Sequence, residues 1–387
     1  MTLALENGRV LLEGGFVDDR TVIVEGVHIV AVMPATDGRA RGGARHDLEG
    51  RLLAPGFVDC QVNGGGGLLF NEAPTVATLR AIAAAHRRFG TTSLLPTLIT
   101  DDVETMRAAM AAVRQALAEG VPGIVGIHLE GPFLAPERKG VHDAAKFRAP
   151  DDALLELIAS LGPHRVLLTL APERVPPQII GKLAAQGVIV SLGHTGATYE
   201  MAQAALAAGA RGFTHLFNAM SPLQSREPGV VGAALADPDS WCGVIVDGEH
   251  AHPAAIRIAL AAKPRGKIML VTDAMPPVGS DSPSFVLNGE RIEARNGVLR
   301  NSAGVLAGSC LDMATAVRNA VRLAGVAPDE ALRMASTYPA AFLRRSGTLG
   351  SIAAGRRADF VVLNDDLSVH QAWIGGVAEE FQRRSNR

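Results

Sequence analysis

Aromatic side chains are scarce in this chain. Two Trp, two Tyr and 12 Phe make up 4% of its 387 residues, while 48% of the residues are hydrophobic. A large core is therefore available, and it must be built from Ala, Val, Leu and Ile. Cysteine is rarer still: Cys60, Cys242 and Cys310 lie far apart with no Cys-x-x-Cys spacing. That excludes a disulfide framework and a thiolate zinc site, and it reads as reduced core thiols of a cytoplasmic protein. Net charge is −2, so no basic surface invites nucleic acid, and an anionic ligand must be held by a few placed cations. No apolar run approaches the ~18 residues of a membrane span, and the amino terminus carries Glu6 where a leader would be apolar. The expectation is a protein with no membrane segment and no signal peptide.

Length sets the next bound, since 387 residues suffice for one large domain and a small one. Residues 1–53 read as short strands separated by Gly, Asp and Pro, among them 9–12, 21–24 and 28–32. Residues 350–387 answer with strand-like runs at Phe360-Val-Val-Leu363 and Ala372-Trp-Ile374. Neither end can bury a core alone, so the two are expected to form one discontinuous β-sandwich domain. Between them, residues 54–349 alternate apolar runs (56–62, 91–97, 123–129, 165–171, 188–193, 212–216, 242–246 and 267–272) with Ala-rich helical patterns. Eight such units predict an α/β fold, a (β/α)₈ TIM-like barrel. A polar stretch at 284–301, with Asn-Gly pairs at 288–289 and 296–297, reads as a hairpin inserted after the eighth strand. Helices at 310–324 and 328–337 are expected to complete the barrel.

Barrels of this kind carry their chemistry at the carboxyl ends of the strands. Gln61, Glu130, His194, His215, Asp247 and Asp273 each fall at or just after an expected strand. A carboxylate left at a buried strand end is costly unless it is paired or holds a metal. Glu130, His194 and His215 together offer one oxygen and two nitrogens, a common ligand set for catalytic zinc with a position open for water. Asp273 could then move a proton to and from that water. The plainer alternatives are ordinary hydrogen-bonded histidines and a capping aspartate after a strand. Cys60 reads as core, His128 as a residue that orients the site, and His252 as a helix-start residue.

A set of stretches runs in order along nearly the whole chain: Pro55-Gly-Phe-Val-Asp59, His128-Leu-Glu-Gly-Pro-Phe133, Lys139-Gly-Val-His142, Gly193-His-Thr195 and Thr214-His-Leu-Phe-Asn-Ala-Met220. It continues with Val246-Asp-Gly-Glu-His250, Val271-Thr-Asp-Ala-Met275, Leu306-Ala-Gly-Ser309 and Gly355-Arg-Arg-Ala-Asp-Phe360. In this combination the sequence resembles the amidohydrolase superfamily, within it the enzymes that deacetylate N-acetylglucosamine 6-phosphate to glucosamine 6-phosphate and acetate. The resemblance implies one divalent metal per subunit on Glu130, His194 and His215, zinc foremost, with ferrous iron or another divalent ion as alternatives. It implies Asp273 as proton acceptor and donor and His142 as the group that polarises the acetyl carbonyl. Substrate contacts would come from Gln61, Asn63, Val141, His142, Asn218, Ala219, Asp247, Leu306, Ala307 and Gly308. Arg226 and His250 would hold the phosphate, one of these cations coming from a neighbouring subunit of a homodimer.

One departure matters. Many amidohydrolases carry His-x-His after the first strand, where this chain has Gln61-Val62-Asn63. Amides are poor zinc ligands, so a second metal position should be lost. Two rival readings stay open: a superfamily hydrolase of cyclic amides or acylated amino acids, and a silent sugar-phosphate sensor. The second would lack Glu130, a histidine ligand or Asp273, and all are present.

Overall fold

The apolar runs between residues 57 and 270 pair in chain order into one parallel sheet. In the computed structural model, which describes residues 2–37 and 43–381, its strands are Phe57–Val62, Thr91–Ile99, Ile127–Glu130, Val166–Leu170, Ile189–Leu192, Gly212–Phe213, Trp241–Val244 and Ile268–Leu270. The first five are buried at every position, as unbroken Val/Leu/Ile runs require when helices cover the sheet. Helices Val76–Arg87, Val103–Ala118, Asp152–Ala159, Pro177–Ala185, Tyr199–Ala207, Gly229–Ala236 and Pro253–Ala262 lie between successive strands. Thr75, Asp151 and Thr198 accept from the amide three residues on, and Pro177 and Pro253 take the first helical position. The result is a (β/α)₈ barrel.

Closure of the barrel brings two site strands together. Among the described residues, the end strands meet through a bridge between Val62 and Ala274 and through the Asp273 N–H donating to Gln61 O at 3.0 Å. Below it, the Thr272 hydroxyl donates to Asp59 Oδ2 at 2.6 Å. Burial pushes the Asp59 carboxyl up to about 7, against the hydrogen bonds from Thr272 and the Gln61 amide.

Strands from both ends of the chain build two further sheets, ordered His28–Pro34, Arg20–Glu25, Thr2–Glu6, Ala44–Asp47 and Val377–Glu380, Val369–Ile374, Phe360–Leu363, Leu52–Pro55, Arg9–Leu12, Gly15–Val17. Leu5, Val22 and Ile29 of the first share a buried cluster with Val10, Leu53, Phe360 and Trp373 of the second. Residues 1, 38–42 and 382–387, assigned above to the small domain, lie outside the described residues.

Some elements differ from the sequence pattern. The third strand begins at Ile127 rather than Gly123, because Gly123 is left-handed (φ 94°) and Ile124 makes only an isolated bridge to Leu94. The helix expected over 328–337 is two, Pro328–Ala335 and Thr337–Phe342, broken at Ser336. Pro339 has no N–H to give Ala335 O, so the first helix cannot run on. The inserted stretch is a three-stranded antiparallel sheet, Ser284–Leu287, Glu290–Arg295 and Val298–Arg300. Both its Asn-Gly turns have positive φ at each residue, the type I′ geometry that suits the strand twist.

Candidate active site

Three strand ends deliver the groups that converge. Glu130 closes the third strand, while His194 and His215 follow the fifth and sixth. Both histidines adopt left-handed backbone, φ 49° and 34°, as does Asp273 at 53°. This conformation is costly for residues with a Cβ, and here it turns each side chain from its strand into the barrel mouth. His194 Nε2 and His215 Nε2 lie 3.1 and 3.0 Å from Glu130 Oε1 and 3.1 Å from each other. All three residues are buried. Four ligands about 2.0–2.1 Å from a zinc ion lie about 3.3 Å apart, so the spacing matches three corners of a tetrahedral shell.

The donor chemistry agrees. His194 donates Nδ1–H to Arg138 O at 2.8 Å, which leaves its Nε2 lone pair for a cation. Burial opposes charge on Glu130, but the two facing imidazoles hold its carboxyl well below the ordinary range. Burial also opposes protonation of His215, while its bond to Glu130 raises it above the usual value. Those opposite shifts describe one negative oxygen facing two imidazoles, the arrangement a divalent ion completes.

Asp273 sits beside this group. Asn63 Nδ2 and Gln61 Nε2 donate to its Oδ1 at 2.6 and 3.1 Å, which leaves Oδ2 for a reactant. Gln61 Nε2 also reaches Glu130 Oε1 and Oε2 at 3.2 and 3.3 Å, so one amide bridges the two carboxylates. Burial, then the charge on Glu130, push the Asp273 carboxyl up to about 6. His142 is held through Nδ1, 3.0 Å from Thr100 Oγ1, and burial pushes the ring down to about 3, so it is neutral. Gly131 belongs to this frame. Its φ is 97°, and a Cβ there would stand 2.1 Å from Thr100 Oγ1.

These groups open on one cavity of ≈ 350 Å³. Of the residues singled out from the sequence, Asn63, Val141, His142, Asn218, Ala219, His250, Leu306 and Gly308 line it with the three converging residues and Asp273. Gln61 is buried beneath, and Ala307 is buried in a cluster with Ile99 and Met275. Asp247 holds His250 Nδ1 at 2.6 Å. Asn218 spends both side-chain N–H groups on the carbonyls of His215 and Leu216, so its Oδ1 is what remains for a ligand. Arg226 is exposed and does not line the cavity of its own chain. His128 bonds to Thr97 and Thr169 rather than to the site groups. Cys60 is buried in the core, and His252 accepts from the Ala254 N–H at a helix start.

Ile99, Gly140, Met275, Arg300 and Val305 also line the cavity; Gly140 and Met275 stand in the stretches quoted above, but none of the five was singled out as a site residue. Arg300 comes from the inserted sheet, whose turn residue Asn288 anchors the His142 loop by donating to Val141 O at 3.0 Å. An Arg closing a polar hairpin carries no signal of its own in the sequence.

Comparison with known proteins gives consistent matches. The amidohydrolase family model matches residues 52–378. An N-acetylgalactosamine-6-phosphate deacetylase of Shewanella sp. (strain ANA-3) is 49% identical over 85% of this chain and 83% of its own. An N-acetylglucosamine-6-phosphate deacetylase of Mus musculus is 40% identical over 86% of this chain and 84% of its own. The crystal structure of N-acetylglucosamine-6-phosphate deacetylase from Pasteurella multocida superposes with a TM-score of 0.94 at 36% identity, covering 98% of this chain and all of that one.

Proposed function

The chain belongs to the amidohydrolase family, and on that premise we propose that it hydrolyses N-acetylglucosamine 6-phosphate to glucosamine 6-phosphate and acetate. The observation that carries the reading is the convergence of Glu130, His194 and His215 beside Asp273 in one cavity. These three residues would hold a single divalent cation, zinc suiting the two-nitrogen, one-oxygen set and ferrous iron being the alternative. When bound, the ion supplies Lewis-acid polarisation and an acidified water. Asp273 Oδ2 takes the proton from the attacking water and returns it to the amine nitrogen, without which an amide nitrogen is a poor leaving group. His142, its Nδ1 accepting from the Thr100 backbone N–H at 3.4 Å, carries its proton on Nε2 and donates a hydrogen bond to the carbonyl oxygen as charge develops there. Gln61 and Asn63 fix Asp273 and leave room for one ion.

His250, oriented by Asp247, faces the phosphate, and Arg226 reaches the cavity of a neighbouring subunit in a homodimer whose interface lies near the phosphate site. The described residues among 1–53 and 350–387 form one small domain beside the 54–349 barrel. Three unpaired cysteines support a cytoplasmic location, and no described helix is long and apolar enough to cross a membrane.

Acetate release from N-acetylglucosamine 6-phosphate, before and after chelation and metal restoration, tests the reading. Activity should vanish and return with one metal equivalent per chain. A panel giving turnover only on dihydropyrimidines or N-acyl amino acids would overturn it. The 49% identical relative named for the galactosamine epimer supports a second reading, that N-acetylgalactosamine 6-phosphate is the better substrate. Comparing kcat/KM for the two epimers decides between them.

A further inference from the structure

Among the described residues that line the cavity, the single permanently charged cation is Arg300. It ends the third strand of the inserted sheet and pairs with Leu306 across a tight loop, in which the Asn301 N–H donates to Val305 O and the Gly304 N–H to Asn301 O, each at 2.9 Å. The guanidinium is therefore carried by the same loop that brings Leu306 and Gly308 to the cavity wall. One of its five N–H groups is hydrogen-bonded, Nη1 donating to Gly304 O at 3.0 Å, while Nη2 stands 3.5 Å from Glu249 Oε2. Arg300 thus stands on the wall between the site cavity and an adjoining one lined by Glu249 and Gly304. Glu249 precedes His250, so Arg300 and His250 approach the cavity from adjoining stretches. The Arg300 and Glu249 side chains are 49% and 45% exposed, and an ion pair that open and that long is weak. A phosphate dianion, offering several oxygens to a planar fork, competes well for the same group.

We propose that Arg300 grips the substrate's phosphate beside His250, giving each chain an anchoring cation of its own, and that Glu249 holds the guanidinium in place until the phosphate displaces it. The proposal rests on the deacetylase reading. It makes Arg300 a specificity residue for 6-phosphorylated substrates, independent of what Arg226 does across an interface.

The test pairs calorimetric binding of glucosamine 6-phosphate to the holoenzyme with kcat/KM on N-acetylglucosamine 6-phosphate and on N-acetylglucosamine. Arg300→Met should weaken binding and raise KM for the phosphorylated sugar ~10-fold, the scale of one charge-assisted contact partly open to water. Its kcat/KM on the unphosphorylated sugar should stay within about two-fold of wild type, an effect on KM rather than kcat. Arg300→Lys should recover most of the loss, since a point charge still serves a phosphate. Glu249→Gln should bind glucosamine 6-phosphate as well as wild type or better, and a ten-fold loss there would overturn the clasp. A wild type that binds and deacetylates the phosphorylated sugar, matched by Arg300→Met, overturns the role of Arg300 alone. Equal losses on both sugars do the same. A wild type that neither binds glucosamine 6-phosphate nor releases acetate overturns both readings.

Discussion

Replacing Asp273 by Asn should cripple turnover and, in the metal-free protein, raise stability. The substitution keeps size and shape. Its carbonyl oxygen can still accept from Asn63 and Gln61, now at 2.6 and 3.1 Å from Oδ1, so the amide nitrogen takes the place of Oδ2. A lone pair that could accept the water's proton becomes an N–H that cannot. Loss of a general base costs ~10²- to 10⁴-fold in rate, or roughly 3–5 kcal/mol of barrier.

The stability effect has the opposite sign. Burial and the charge on Glu130 raise the Asp273 carboxyl from 3.8 to about 6. An acid whose folded pKa is raised binds its proton more tightly when folded, so its stabilising contribution is complete below about pH 4 and is lost as the pH climbs through about 6. The interval corresponds to roughly 3 kcal/mol. An amide has no proton to lose, so at pH 8 the chelated variant should melt about 3–4 °C above chelated wild type, the scale expected for a chain of this size. At pH 4 the two should melt together. Acetate release and thermal melts at both pH values read the two effects. Near-wild-type turnover would remove Asp273 from the proton path, and equal melting at pH 8 would refute the burial argument.

The pH dependence of kcat/KM should show an acid limb at or below about 6, because a bound cation offsets the charge on Glu130 that helps to raise Asp273; a limb above 7 would assign it to another group. Arg226→Ala should damage turnover of the 6-phosphorylated sugar far more than of the unphosphorylated one. Mixing it with Asp273→Asn subunits should regain activity in hybrid dimers, and no regain would confine Arg226 to its own chain. Gly131→Ala must accommodate a φ of 97° and a Cβ 2.1 Å from Thr100 Oγ1, so it should lose on the order of 2–4 kcal/mol and shift Thr100 away from His142. Denaturant melts and turnover together check it, and wild-type stability would contradict the close approach.

Some of this protein is determined by local pattern. Unbroken Val/Leu/Ile runs separated by Ala-rich amphipathic segments specify parallel strands and covering helices, because both periodicities follow from backbone geometry alone. Residue chemistry at the strand ends likewise pointed to Glu130, His194, His215 and Asp273, since a lone carboxylate or imidazole there is costly without a partner. What the tertiary structure decided depends on contacts between distant segments. The left-handed backbone at His194, His215 and Asp273 turns those side chains inward, and no sequence signal marks it because residues with a Cβ adopt it only when packing enforces it. The Gln61 amide bridging Glu130 and Asp273, 69 and 212 residues away, exists only once the last strand closes on the first. Arg300 reaches the cavity solely because an inserted sheet folds over the barrel mouth. Its charge is local, but the wall it stands on is built by the rest of the chain.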